Sequence, residues 1–239
     1  MRTAIIIGIA VLMLAVAASA QSQVKCGIKA GANMAKFGGN GWDTLAAEDS
    51  ISVDKKFLMG FAAGVFVELP LGTSGVSLQP ELLYVTKGAK GDVTDSTGTY
   101  TMEIKNGYVE VPVLVKYNFT TAGKAKPFMF VGPVAGFKTS SKVTVKNPPA
   151  ERADLGDKNI DNAKSMDFGL TIGAGLGLGV GAKSMLTFDL RFTTGLTKAF
   201  DDVSPSATID DTKIVLVDEN GKALDFKNND ICLMVGYEF

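Results

Sequence analysis

The feature that most constrains the fold is a strict alternation of apolar and polar residues that recurs along the chain. In residues 108–119, YVEVPVLVKYNF, every odd position is apolar, whereas the even positions include Glu110, Lys116 and Asn118. Residues 185–195 repeat the alternation with the apolar residues at even positions, from Leu186 to Phe192. A period of two is typical of a β-strand that has one apolar and one polar face.

A glycine-rich segment extends the same pattern. In residues 167–180 every even position is apolar, while the odd positions from Gly169 onward are glycine apart from Thr171. The overlapping stretch GLGVGAKS (177–184) imitates a phosphate-binding loop, but Ala182 replaces the second glycine of that motif. A phosphate-binding loop also needs a strand, a turn and then a helix. We therefore predict one long strand with a bare face, which leaves room for bulky neighbours or lets the sheet curl.

Five further segments share this character, namely residues 26–36, 57–69, 76–87, 127–138 and 230–239. Together with the three segments above they make eight predicted strands. Their lengths suit a membrane crossing, which takes a tilted strand about 9–11 residues. Beyond the first 20 residues no helical periodicity is visible. Because closed barrels and helices alone satisfy all backbone groups in lipid, a membrane location would require a barrel.

The N-terminus predicts export. Arg2 precedes an apolar run over residues 4–17, which ends in the small residues Ala18-Ser19-Ala20. This layout is typical of a secretory signal peptide, so we predict a signal over residues 1–20 and one domain over residues 21–239. A membrane anchor is the less favoured alternative because the run is short. Gln21 follows the predicted cleavage site where a lipoprotein would have cysteine.

The connections between predicted strands alternate in length. Short ones cover residues 70–75, 120–126 and 181–184, and long ones cover residues 37–56, 88–107, 139–165 and 198–229. Outer-membrane barrels have short periplasmic turns and long external loops. We therefore predict an all-β fold, an eight-stranded antiparallel up-and-down transmembrane β-barrel in the cell outer membrane, with outer-membrane lipid as its surroundings.

The polar face of each strand then faces the lumen. Strand parity assigns to it ten residues of mixed charge: Lys29, Asn33, Glu68, Gln79, Glu81, Glu110, Lys116, Asp189, Arg191 and Glu238. An eight-stranded barrel is narrow enough for side chains to fill it. We predict that opposite charges pair there into a structural polar network that fills the lumen. The alternative is a soluble barrel with these residues turned to water.

Aromatic residues and cysteines add two expectations. Eleven aromatics lie near predicted strand ends and suit the interfacial girdles of a membrane barrel. They are Phe37, Phe57, Tyr84, Tyr108, Tyr117, Phe119, Phe137, Phe168, Phe200, Tyr237 and Phe239. Cys26 and Cys232 fall near opposite ends of neighbouring antiparallel strands and on opposite faces. Six residues of strand is about 20 Å, so we predict no disulfide between them.

Several function classes are disfavoured by composition. The chain has no histidine, which removes His-dependent catalytic triads and His-based zinc sites. With 24 basic and 25 acidic residues it offers no basic field for nucleic acid. Residues 157–162, DKNIDN, imitate the start of a calcium loop, but Asn162 replaces the required glycine and Phe168 the bidentate glutamate. We predict a solvated loop there, no metal and no cofactor.

The chain resembles the PorT-like outer-membrane β-barrel family of Bacteroidota. The segments that carry the likeness are GIKAGANMAKF (27–37), LQPELLYVTKG (78–88), YVEVPVLVKY (108–117), GPVAGF (132–137), DFGLTIGAGLG (167–177), FDLRFTTGLT (188–197) and VGYEF (235–239). The resemblance implies a fold and an outer-membrane location, and it brings no catalytic residues. Phe239 looks like the C-terminal aromatic signal that the outer-membrane assembly machinery recognises.

The predicted function is that of a non-enzymatic barrel with a structural or interaction role and with long external loops. Within residues 213–226, KIVLV and KALDF flank DENG, which predicts a β-hairpin above the membrane. Its edge could accept a strand from a protein partner, or the hairpin could be a passive extension. Two alternatives to the leading function stay open: a small-solute pore and a soluble, lipocalin-like periplasmic carrier.

Overall fold

The fold is one continuous antiparallel β-sheet. The computed structural model describes residues 24–41, 52–95, 98–147, 158–180, 184–202, 213–214, 217–218 and 220–239. The strands within these residues are β1 (Lys25–Gly38), β2 (Ser52–Lys56), β3 (Leu58–Pro70), β4 (Val76–Asp95), β5 (Gly98–Asn118), β6 (Ala125–Lys146), β7 (Lys158–Ile160), β8 (Met166–Val180), β9 (Ser184–Gly195), β10 (Lys213–Ile214) and β11 (Lys227–Glu238).

Eight of these strands close into a ring. Each pairs antiparallel with its neighbours in the order β1, β3, β4, β5, β6, β8, β9 and β11, and β11 pairs with β1 to complete the circle. The ring strands cover all eight segments predicted from the alternation. The short strands β2, β7 and β10 attach outside the ring, to β4, β6 and β7 respectively. The predicted eight-stranded up-and-down barrel is therefore confirmed.

The outer surface carries a broad apolar band. Along β8, for example, every even residue from Met166 to Val180 except Ala174 is a large apolar side chain that is at least one-third exposed. β5, β6, β9 and β11 present comparable residues on the same outer face. The end of the barrel with the chain termini and the connections at residues 71–75 and 119–124 is the turn end, and the opposite end is the loop end.

The glycine face of β8 points into the barrel, where it makes room for two aromatic rings. An ideal Cβ on Gly173 would lie 2.3 Å from the Phe130 ring, and one on Gly175 would lie 2.4 Å from the Phe128 ring. The two rings are buried and stacked with centroids 6.2 Å apart. The expectation that these glycines accommodate bulky neighbours is thus confirmed, and the segment is a strand rather than a nucleotide-binding loop.

The predicted loop over residues 88–107 is wrong in part, because most of it is strand. β4 and β5 stay paired from Val76 with Tyr117 as far as Asp95 with Gly98. They are about twice the length that crosses a membrane. β6 and β2 extend alongside them, so that a four-stranded sheet projects beyond the apolar band at the loop end. Both of its faces have more polar residues than the barrel strands, which weakened the alternation used for prediction.

An apolar core closes the loop end of the barrel, and we term it the cap. It combines buried side chains from the inner face of the projecting sheet with side chains from three connecting segments. Its members are Phe37, Ala89, Ile104, Val143, Ile160, Ala163, Ala199, Phe200, Ala223, Leu224 and Phe226. Phe226 and Phe37 are in ring contact at 4.9 Å, and Phe200 packs edge-on against both. The cap is a small hydrophobic core outside the apolar band.

Interior packing corrects part of the expected aromatic girdles. Three of the eleven predicted girdle aromatics, Phe37, Tyr108 and Phe200, are buried inside because their parity or their loop directs them inward. Others, such as Tyr117 and Phe119, are exposed on the outer face and in ring contact at 4.9 Å.

The hairpin expected over residues 213–226 also differs from its prediction. The described part has one bridge between Val217 and Ala223 and a turn closed by the Gly221 N–H donating to the Asp218 carbonyl. After the bridge, Leu224 and Phe226 bury themselves in the cap, so this arm does not stand free. Residues 1–20, the predicted signal, lie outside the described residues. The described residues contain no helix of the length and apolarity needed to cross a bilayer.

The two cysteines lie as far apart as their strand positions imply. Cys232 pairs with Asn33 across β1 and β11, and the Phe239 N–H donates to the carbonyl of Cys26 at the other end of the same strand pair. Cys232 is buried in the lumen, and both thiols are free. The predicted placement of the two cysteines near opposite ends of the closing strands is confirmed.

Candidate functional site: a charged lumen beneath an apolar cap

The lumen contains stacked layers of paired charges, the first at the turn end. Glu68 accepts hydrogen bonds from Lys116 Nζ at 2.5 Å and from Ser77 and Asn118 at 3.0 and 2.8 Å. Glu238 pairs with Lys25 at 2.8 Å at the rim. The Glu68 carboxylate is fully removed from water, so these donors replace the solvation that it loses.

The middle layer is a balanced group of two cations and two carboxylates. Glu81 lies 2.8 Å from both Lys29 Nζ and Arg191 Nη1. Asp189 accepts from Arg191 Nε at 2.9 Å and lies 3.4 Å from Lys29. Gln79 donates to Glu81 at 2.6 Å. Because each charge contacts two of opposite sign, the layer is electrically neutral, which suits a low-dielectric interior.

The upper layer has one cation between two carboxylates. Lys87 Nζ lies 2.7 Å from Glu110 and 2.9 Å from Asp230. These three side chains come from β4, β5 and β11, so the ammonium group links strands on opposite sides of the ring. All three are buried.

Hydrogen-bonded polar side chains separate this layer from the cap. Asn228 donates to Asp167 at 2.8 Å and to the Tyr108 hydroxyl at 3.2 Å, and Thr197 donates to Asp167 at 2.7 Å. Ser141 donates to Asn106 at 2.6 Å. Along its axis toward the loop end, the lumen therefore changes from ion pairs to hydrogen-bonded polar side chains and then to apolar side chains.

Aromatic rings complete the packing around the cations. Lys116 Nζ lies 4.4 Å from the centroid of the Phe128 ring, and the Arg191 guanidinium carbon lies 5.0 Å from that of Phe130. Lys29 Nζ lies 4.7 Å from the Phe66 ring centroid. Cation–π contacts of this kind are strongest where water is excluded. The glycines of β8 thus contribute indirectly, since they leave the space in which Phe128 and Phe130 sit under their cations.

All ten residues assigned to the lumen by parity lie on the inner face and are buried. Nine of them fall into the turn-end and middle layers or the upper layer. Asn33 sits apart and donates to the Thr86 carbonyl at 2.7 Å. The structure brings Lys29, Glu81, Asp189 and Arg191 together and keeps Glu68 with Lys116 in a separate layer.

Sequence reasoning missed several interior residues, most importantly Lys87 and Asp230. Both were visible in principle, because Lys87 continues the odd parity of Gln79 and Glu81 along β4. Asp230 likewise shares the even parity of Glu238 along β11. Asp167 and Asn228 were also missed. Asp167 is the first residue of its predicted strand, and Asn228 lies just before the start of its own. The inward position of Phe128 and Phe130 could not be read from β6 itself, because both faces of that strand are apolar.

The packed side chains leave little open space. The cavity between the middle and upper layers measures about 10 Å³, close to the minimum for one water molecule. It is lined by Leu83, Val85, Cys232 and Met234 together with Arg191 and Asp230 at its polar side. Within the described residues no group of three or more Asp, Glu, Cys or His side chains could hold a metal ion. Lys158–Ile160, inside the calcium-loop imitation, is strand β7 with Ile160 buried in the cap.

The apolar outer band, the closed ring and the ionic interior define a membrane-spanning β-barrel. The chain matches the family model of the outer membrane protein beta-barrel domain over residues 19–201, and it belongs to that family. It is located in the outer membrane.

Solved structures of other outer-membrane barrels resemble the chain in fold. Neisserial surface protein A is 12% identical, with 88% of this chain and 95% of that chain covered and a TM-score of 0.40. OprG of Pseudomonas aeruginosa is 12% identical, with 90% and 94% covered and a TM-score of 0.40. The N-terminal β-barrel domain of OprF from the same organism is 15% identical, with 91% and 100% covered and a TM-score of 0.34. No curated protein matches the chain in sequence.

Proposed function

We propose that the protein is a closed, non-enzymatic barrel with a structural or interaction role, and that it acts through its external face. The observation that carries this proposal is the succession of three paired-charge layers beneath the apolar cap. A continuous water path would have to pass between Lys29, Glu81 and Arg191 in the middle layer and then through the cap. At each barrier the side chains leave no water-filled opening wide enough for a hydrated ion.

The absence of catalysis is part of the same proposal. The chain contains no histidine, and the buried carboxylates of the middle layer accept hydrogen bonds from cations that would compete with a substrate. The polar lumen is a stabilising network in this view. Each strand faces lipid on one side, so its charged side chains point into the lumen, where they pair with charges of opposite sign. Within the family, we also propose a PorT-like barrel, on the strength of the segments at residues 78–88, 108–117 and 167–177.

The external face offers the surface through which such a barrel would work. The cap and the projecting sheet of β2, β4, β5 and β6 form one folded unit, because Ala89, Ile104 and Val143 of the sheet pack against loop residues. The long β4–β5 pairing runs through this unit as far as Asp95 with Gly98. A protein partner at this face would bind a surface that is already folded. Binding would therefore cost little conformational entropy.

Conductance in planar lipid bilayers tests the closed state. The full mature chain, shown to be folded by a heat-dependent shift in gel mobility, should give no discrete single-channel steps. An open general porin measured in the same bilayers supplies the positive control. A steady, voltage-independent conductance of the folded chain would overturn the closed barrel and establish the small-solute pore instead.

A matched lumen variant sharpens this test. Replacing both partners of the turn-end pair, Glu68→Ala with Lys116→Ala, removes that pair but leaves the middle layer, the upper layer and the cap. We expect the variant to remain non-conducting, because three barriers persist. Conductance of that variant alone would show that the turn-end layer is the principal seal, contrary to a lumen closed along its length.

A further inference from the structure

A polar groove lies on the outer wall of the barrel where the apolar band meets the projecting sheet. It encloses about 220 Å³ and is lined by Tyr84, Thr86, Lys105, Gly107, Ser140 and Lys142. On these strands the outward residues change from apolar, at Val109 and Phe137, to polar within one or two positions. The groove therefore sits at the external boundary of the hydrocarbon layer.

Two lysines face each other across this groove. Lys105 of β5 and Lys142 of β6 are direct cross-strand partners and both are exposed. Like charges directly opposite one another destabilise a sheet. Among the residues that the structure describes, neither ammonium group has a carboxylate partner; the nearby Glu103 is paired with Lys146 at 2.9 Å and Lys90 at 3.3 Å. This arrangement calls for an anion from outside the chain.

Hydroxyl groups converge beside the lysines. The register between β5 and β6 shifts between Gly107 and Tyr108, which inserts Thr139 as an extra residue. Around the position of a Cβ on Gly107, the hydroxyl oxygens of Tyr84, Ser140 and Thr139 lie at 2.6, 2.8 and 2.9 Å. The Thr139 hydroxyl is buried and has no hydrogen-bond partner. An unsatisfied hydroxyl donor near two lysines without carboxylate partners is typical of a site that binds an oxyanion.

We propose that this groove binds the phosphate of a lipid headgroup in the outer leaflet. Lys105 and Lys142 would pair with the phosphate oxygens and the Ser140 hydroxyl would donate to them, while the missing side chain of Gly107 lets the hydroxyls of Tyr84, Thr139 and Ser140 converge beside the lysines. The acyl chains of the same lipid would run down the apolar wall from Tyr84, whose ring packs against Phe61 at 5.7 Å. A lipid is favoured over a soluble anion because the groove opens at the edge of the apolar band.

The site is tested with the folded, detergent-extracted full chain by native mass spectrometry. The probes are a diphosphorylated outer-leaflet glycolipid, the same glycolipid after enzymatic dephosphorylation, and inorganic phosphate. We expect the phosphorylated glycolipid to bind best, and the double variant Lys105→Ala/Lys142→Ala to bind it about tenfold more weakly, since each lysine near an anionic surface contributes appreciably. Gly107→Ala should also weaken binding, without any change of charge, because its methyl group would displace the hydroxyls that converge there.

The matched control is Lys36→Ala/Lys146→Ala, which removes two exposed positive charges near the loop end, leaves Glu103 paired with Lys90 and lines no part of the groove. It should retain binding within about twofold, a margin set by screened long-range attraction. All variants are first shown to be folded by heat-dependent gel mobility. Equal losses in the two double variants would overturn the site in favour of diffuse attraction. Equal binding of the dephosphorylated glycolipid, or equally tight binding of inorganic phosphate, would overturn the lipid phosphate as its ligand.

Discussion

The middle charge layer makes the sharpest prediction about stability. Replacing Arg191 by methionine removes a buried cation but keeps most of the side-chain volume. Glu81 would keep Lys29 and Gln79 as partners, whereas Asp189 would keep Lys29 alone, at 3.4 Å. The layer would then have two carboxylates and one cation. Breaking a buried ion pair from one side costs about 3–5 kcal/mol, so we expect a loss of that size in the free energy of unfolding.

The partner variant tests whether charge balance is the cause. Glu81→Gln alone leaves two cations facing Asp189, and we expect a loss of similar size. Combined with Arg191→Met, it restores one cation and one carboxylate, Lys29 with Asp189. The double variant should therefore be more stable than the sum of the two single losses predicts, with a coupling free energy of about 1–3 kcal/mol, as is typical of residues in one network.

The assay is urea unfolding of the chain refolded in phospholipid vesicles, with the folded fraction measured by unboiled gel mobility and the free energy obtained by linear extrapolation. Lys124→Met, which removes an exposed cation at the turn end, serves as the control and should change stability by less than about 0.5 kcal/mol. Additive losses in the double variant, or a loss below about 1 kcal/mol for Arg191→Met, would refute the view that the layer is a tightly coupled ionic network.

Three further predictions concern the wall, the projecting sheet and the C-terminus. Gly175→Val should lower stability by at least about 1–3 kcal/mol through collision with the Phe128 ring; Phe128→Ala in the same chain should recover part of it in urea titrations, and no recovery would contradict the packing. Hydrogen bonds from Lys56 and then Thr101 hold the pKa of Asp92 below its ordinary value. The ionised Asp92 carboxylate therefore stabilises the pairing of β2 fully above its ordinary pKa, and this stabilisation is lost as the pH falls through the lowered pKa of the folded state. Hydrogen exchange of the β2 amides should then be faster at about pH 3, relative to their intrinsic rates. Unchanged protection would count against this role of Asp92. Deleting Phe239 should lower the amount assembled in the outer membrane in cells while leaving urea stability of refolded protein within about 0.5 kcal/mol; normal assembly would remove Phe239 as the signal.

Where local geometry decides a property, the alternation alone was enough to predict it. Successive side chains of a strand point to opposite faces, so parity identified the inner face of each ring strand and the burial of residues such as Glu81 and Arg191. The even number of strands and the lengths of their connections then predicted a closed barrel. The same local rule also anticipated that the glycine face of β8 would need bulky neighbours.

Parity could not say which charges meet, because that depends on the stagger of the strands around the closed ring. Glu81 and Arg191 are 110 positions apart in the chain, and their contact follows from the registers of β4 and β9 within the barrel. Lys87 and Asp230 share one site for the same reason, although they lie at the margins of their predicted strands.

The structure of the cap and of the projecting sheet depends on tertiary contacts, for a different physical reason. Residues 88–107 alternate weakly, and their strand conformation depends on cross-strand hydrogen bonds and on packing of Ile104 into the cap. The cap itself joins Phe37 from the end of β1 to Phe200 and Phe226 from connections whose apolar residues follow no period. A period reveals which face of a strand is buried; it carries no information about where an irregular segment finds its apolar neighbours, and that is settled when the folded chain brings those segments together.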